Sequence, residues 1–302
     1  MREYARQQTA FLLGRLSIAV SHAAQAADAD AIHDIRVAMR RLSRCLRVFA
    51  AFYPPGSWKK IRRRIASLLS AAGAVRDCDI AIELVGRAGI ARPAGILTPL
   101  VAKRREAGHE LLVEIRRWKR RDYTTQWRSR LQLFVSVDGA SSVRERRPES
   151  VWNPRASAAA NARRHLPAIM RDYFAQVREL LAANPVPAEL HAIRLATKRI
   201  RYTLELFRSC YGRGMTRRLG MLQRLQQLLG EINDCAAAER LIGSLVGPSS
   251  ARQRVLTFLR RRAAAKAAAL RREWRGNFDA PGREHWWLQY LAAGVRLRVP
   301  RL

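Results

Sequence analysis

Two stretches decide the fold: residues 32–49, IHDIRVAMRRLSRCLRVF, and residues 190–207, LHAIRLATKRIRYTLELF. Offset by 158 residues, 7 of their 18 positions are identical: His33/His191, Ile35/Ile193, Arg36/Arg194, Ala38/Ala196, Arg41/Arg199, Leu46/Leu204 and Phe49/Phe207. Tyr53 and Tyr211 keep the offset. Gly73, Asp77 and Cys78 match Gly230, Asp234 and Cys235 one residue earlier, as a one-residue loop difference would produce. A repeat of this length implies one structural unit used twice.

On a helical wheel the first stretch divides cleanly. Ile32, Ile35, Met39, Leu42, Leu46 and Phe49 are spaced 3, 4, 3, 4, 3, which is one buried seam. His33, Arg36, Arg40, Arg44 and Arg47 fall within about 80° of one another, immediately beside that seam. No acid interrupts them. The second copy repeats the seam with Leu190, Ile193, Thr197, Ile200, Leu204 and Phe207. Its stripe holds His191, Arg194 and Lys198, with Arg201 near the edge. Tyr202 and Glu205 stand where the first copy has Arg44 and Arg47, so the two stripes are unequal.

Working outward, Ala, Leu and Arg dominate the chain, and all three favour helix. Each copy reads as four helices, near 3–28, 31–53, 57–86 and 95–133, then 156–183, 188–211, 214–245 and 250–275. The fourth is long enough to break near Asp122. The first copy occupies 1–137, the second 156–275. Gly139, Ser141, Ser142, Pro148 and Pro154 mark 138–155 as a linker. The tail, 276–302, carries Trp286 and Trp287 and is expected to pack as a last helix. Gly73 and Gly230 are expected to end a helix in the left-handed conformation, with Asp77 and Asp234 capping the next helix or pairing with an arginine. Alternating strand patterns are scarce, and residues 133–137 are the best of them.

Charge narrows the partner. Lys and Arg total 57 against 24 acids in 302 residues, a net +33. Such a field recruits polyanions, with nucleic acid the first to consider. No zinc finger, aromatic RNA-binding signature or helix-turn-helix is present. No P-loop and no acid cluster for Mg²⁺ supports phosphoryl chemistry. The four cysteines form no CxxC pair and read as small buried hydrophobes. No signal peptide and no apolar run of spanning length is visible, which fits a cytoplasmic location.

A helix carrying a cation on each turn, about 5.4 Å apart, suits phosphates repeated along a chain. Arginine's planar fork takes two phosphate oxygens. A bound polyanion favours the protonated form of a histidine beside it, so His33 and His191 add donors. Further repeated cations are Lys60 with Arg217, and Arg104 with Arg262.

These residues resemble the CHAD family, the conserved-histidine α-helical domain. Its hallmark is the pattern seen here as HDIRVAMRRLSRCLRVF and HAIRLATKRIRYTLELF, with LLSAAGAVRDCD and LQQLLGEINDC similar to the family's Gly-to-Asp stretch. The resemblance spans roughly 1–275 and makes 1–302 a single CHAD domain. It implies an all-α fold of two pseudo-symmetric four-helix bundles with a basic central pore or groove. It also implies binding of inorganic polyphosphate and association with polyphosphate granules. By position it assigns binding to His33, Arg36, Arg40, Arg44, His191, Arg194 and Lys198. No triphosphate-tunnel domain accompanies the repeats, so binding without catalysis or cofactor is expected. The competing expectation is a nucleic-acid-binding protein, and the next a polyphosphate phosphatase or phosphotransferase; some adventitious nucleic-acid binding is expected in any case.

Overall fold

The structure is a computed structural model that describes residues 1–26, 28–91, 93–134, 151–183 and 185–293. Their regular structure is helical, with no strand among the described residues. In chain order the helices are α1 (Arg2–Gln25), α2 (Ala29–Val48), α3 (Ser57–Arg87), α4 (Ala94–Arg120) and α5 (Tyr123–Arg130). They continue with α6 (Ala158–Leu181), α7 (Pro187–Leu206), α8 (Gly214–Leu245), α9 (Ser250–Asn277) and α10 (Arg283–Ala293). Leu133 and Phe134 lie in a turn, and the rest of the candidate strand at 133–137 falls outside the described residues, as does most of the linker.

The repeat appears as repeated local geometry. α2 and α7 both have 20 residues and begin 158 positions apart. Each ends on a phenylalanine with nearly the same backbone angles, Phe49 at φ −102°, ψ 19° and Phe207 at φ −103°, ψ 14°. One 3-10 turn comes after each, Ala50–Phe52 and Arg208–Cys210. The helices expected at 31–53 and 188–211 therefore stop early, and tyrosines 53 and 211 return the chain to extended backbone. Both starts are held by acids. Asp28 accepts from the Ala31 amide at 2.8 Å, and Glu189 accepts from the Val186 amide at 2.7 Å.

The chain forms two compact units interleaved in sequence. One comprises 5–149 and 234–263, the other 1–4, 150–233 and 264–302. In the first, α3 packs on α2 and on α4. Its core includes Ile80, Leu84, Val85, Ile96 and Leu100, joined by Ala238, Ile242, Val255 and Leu259 from α8 and α9. The expected break near Asp122 is present. Asp122 takes a left-handed conformation at φ 37° and caps α5 at the Thr125 amide, 3.3 Å away. α5 then folds back so that Trp127 meets Trp118 edge to face at 4.7 Å.

In the second unit, α6 packs against α7 and α10. The tail does form a helix. Trp287 and Leu291 of α10 are fully buried, and the Tyr211 hydroxyl donates to the Leu291 carbonyl at 2.8 Å. Arg178 of α6 pairs with Asp279 at 2.9 Å and Glu284 at 3.0 Å. Arg218 of α8, only 4% exposed, lies between two rings, 3.5 Å from the Trp286 centroid and 3.6 Å from that of Tyr290. Burial lowers its pKa to about 10, which still leaves it charged at neutral pH. Its guanidinium also donates to the Trp286 carbonyl at 2.9 Å.

One expectation is corrected. Gly73 and Gly230 end no helix: α3 and α8 run through them, and neither has a positive φ. Asp77 and Asp234 therefore lie inside helices rather than capping new ones.

Candidate functional site: two cationic helix faces

The seam expected on α2 is buried: Ile32, Ile35, Met39, Leu42, Leu46 and Phe49 are all 0–1% exposed. Its burial fixes the rotation of the helix and so fixes where the stripe points. His33 and Arg47 at the two ends are exposed, while Arg36, Arg40 and Arg44 between them are half-buried. From His33 to Arg47 the stripe is about 21 Å long at 1.5 Å per residue.

α3 shapes this face in two ways that the repeat alone does not reveal. A Cβ on Gly73 would sit 2.9 Å from the Arg36 Nη1, so the glycine makes room for that guanidinium. Near the other end, the Arg62 Nε donates to Ser43 Oγ at 3.3 Å. Burial, and then the Arg47 charge, lower the Arg62 pKa. Arg62 also stacks 5.6 Å from the Trp58 ring centroid. It belongs with the α2 stripe, yet its partner in the second copy is Leu219, so no repeated cation marks it in the sequence.

The other candidates of this unit are placed differently. Lys60 is exposed at the start of α3. Arg104 is half-buried on α4, and its Nε donates to Asp79 at 3.0 Å. Arg262 is half-buried on α9, within the same unit as Arg104 although the two are repeat partners. An open groove of about 580 Å³ lies between α3 and α4, lined by Ser67, Ser70, His109 and Glu114 among others. None of the predicted cations lines it.

The α7 stripe lies in the other unit. His191 is exposed, Arg194 and Lys198 are half-buried, and the seam beneath them is buried from Ile193 to Phe207. Thr197 replaces Met39 in that seam and is satisfied by the Ile193 carbonyl at 2.8 Å and the Tyr173 hydroxyl at 3.0 Å. Here the inequality of the copies acquires a cause. Arg201 donates to Glu205 at 2.9 Å and to Gln226 of α8 at 2.9 Å, so the acid that stands at the position of Arg47 also holds a cation of the stripe. Tyr202 is buried rather than presented. Arg217 is exposed, 5.7 Å from the Trp286 centroid. Thus the predicted residues form two sets, one per unit, with the α2 set richer in cations.

Among the described residues, no group of three or more His, Cys, Asp or Glu is arranged to hold a metal ion. Cys45, Cys78 and Cys235 are buried and Cys210 half-buried. No helix among the described residues is long and apolar enough to cross a membrane.

Solved structures similar to this chain include the CHAD domain from the plant Ricinus communis. It has 22% identity and a TM-score of 0.69, and the match covers 91% of this chain and 92% of that one. Another is PptA from Streptomyces chartreusis, at 15% identity and a TM-score of 0.66, covering 91% of this chain and 99% of that one. These likenesses carry the fold. No curated protein matches the chain. Residues 10–243 match the CHAD domain, and on that match, reinforced by the all-helical architecture, the chain belongs to the CHAD domain family.

Proposed function

We propose that this chain binds inorganic polyphosphate without transforming it chemically, through the cationic faces of α2 and α7, and that it associates with polyphosphate granules. The α2 face supports this reading most directly. Five cationic or protonatable side chains lie in a row on a helix whose rotation a buried seam fixes, with Arg62 added from α3. A row of cations matches a repeated anion. α7 supplies the weaker face, because Glu205 engages Arg201.

The test is a titration with orthophosphate, tripolyphosphate and long-chain polyphosphate, with duplex DNA as competitor at equal phosphate. Affinity should rise steeply with chain length and fall with salt as counterions compete. Arg36→Ala with Arg40→Ala should weaken long-chain binding by about tenfold or more, the scale of one or two charge-assisted hydrogen bonds. His33→Ala with Arg36→Ala should also weaken it. Length-independent binding, or displacement by DNA at equal phosphate, would overturn the reading. So would orthophosphate release with Mg²⁺ that His33→Ala abolishes.

A further inference from the structure

α1 carries an unusual outer face. Leu12, Leu13 and Leu16 are buried beneath it, yet Phe11 is 64% exposed and Ile18 53% exposed. Both flank Gly14, at i−3 and i+4, so the three share one side of the helix. Across from Gly14 stands Arg128 of α5, whose Nη2 lies 4.0 Å from where a glycine Cβ would be. Arg128 in turn sits 5.6 Å from the ring centroid of Phe134, itself 65% exposed. The two contacts bring Phe134 and the side of α1 that carries Phe11 and Ile18 to one guanidinium within one unit, and α1 and α5 also carry the exposed Arg15 and Arg130.

We propose that this face is a docking surface for a bilayer bearing anionic lipid. Apolar tips projecting between arginines are what an interfacial contact requires: the rings and the isoleucine enter the headgroup boundary while the guanidinium groups meet phosphate. A second copy of this chain fits poorly, since arginines would face arginines on molecules of net charge +33. The surface is distinct from the α2 and α7 stripes and does not depend on their reading.

The test uses the full chain and vesicles of phosphatidylcholine alone or mixed with phosphatidylglycerol, in flotation at a salt concentration that screens simple charge adsorption. The expected result is flotation with anionic vesicles only. Phe11→Ser with Ile18→Ser, and separately Phe134→Ser, should each weaken it by at least about tenfold, the scale set by one large apolar side chain. Val101→Ser, which removes an exposed apolar group on α4 at 44% exposure, should leave it unchanged. All variants should retain wild-type helicity and polyphosphate affinity. Wild-type flotation by either apolar variant would show that bulk charge alone is acting and would overturn the proposal. Failure of the wild type to float would also overturn it and leave an acidic protein as the occupant of this face.

Discussion

Replacing Gly73 with alanine should push stability and binding in opposite directions. Gly73 lies inside the 31-residue α3, at a φ that any residue adopts. An alanine in such a position is worth about 0.8–1.0 kcal/mol over glycine. Against this, the new Cβ would meet the Arg36 Nη1 at 2.9 Å. The obstructing atom is the end of a flexible side chain, so the guanidinium moves instead of the backbone. A displaced rotamer costs about 0.5 kcal/mol or somewhat more, less than the helix gains. Gly73→Ala should therefore stabilise α3 by a few tenths of a kcal/mol, read as slower hydrogen exchange of its amides. Gly230→Ala is the internal comparison. Among the described residues no atom lies within 4 Å of its Cβ position, so it should gain the full ~1 kcal/mol. The functional arm is the sharper one. Displacing Arg36 should lower affinity for long-chain polyphosphate severalfold, approaching tenfold if a charged hydrogen bond worth about 1.5 kcal/mol is lost entirely. Gly230→Ala should leave affinity near wild type. Unchanged affinity in Gly73→Ala would refute the role given to Arg36, and an equal gain in both variants would refute the close approach.

Glu205→Gln should release Arg201 from its 2.9 Å ion pair and raise polyphosphate affinity by about threefold, in line with a partly buried pair, as measured by the same titration. Arg218→Met should loosen α10 by about 2 kcal/mol, losing ring contacts to Trp286, Trp287 and Tyr290 and the bond to the Trp286 carbonyl but relieving a buried charge, and proteolysis should release the C-terminal segment sooner. Burial pushes the Cys45 thiol up to about 12, against weaker opposing bonds from Thr9 and Tyr53, and burial also raises the hydroxyls of Tyr53, Tyr173 and Tyr211. The folded protein holds these protons while the unfolded chain begins to release them near pH 9, so stability should decline between pH 9 and 10 in urea titrations. A rise over that range would contradict their burial.

Periodicity located α2 and α7 because both helices bury one continuous seam, and a seam leaves its spacing in the sequence. Asp122 was legible as a break because an aspartate tolerates left-handed backbone and caps the next helix. The function of Gly73 was not, because a glycine inside a helix looks the same whether it ends the helix or admits a side chain from a neighbour. Arg62 leaves no mark in the repeat because it joins the α2 face through its hydrogen bond to Ser43, not through a cation at the equivalent position. The capture of Arg201 by Glu205 and Gln226 was half legible: Glu205 marked the departure, but Gln226 comes from a different helix and only the fold brings it there.

The interleaving of the two units has a consequence for how the chain is made. A ribosome that has delivered the first repeat has not delivered a finished unit. Ile80, Leu84 and Leu100 still await Ala238, Ile242 and Leu259, encoded well over a hundred residues later. Nor does the other unit close until 264–293 have emerged. α8 and α9 are shared property, each giving residues to both units. Splitting the gene at the linker would therefore yield two fragments with open cores rather than two half-sites, and co-expression of the pieces, not either alone, would be the route to recovering the fold.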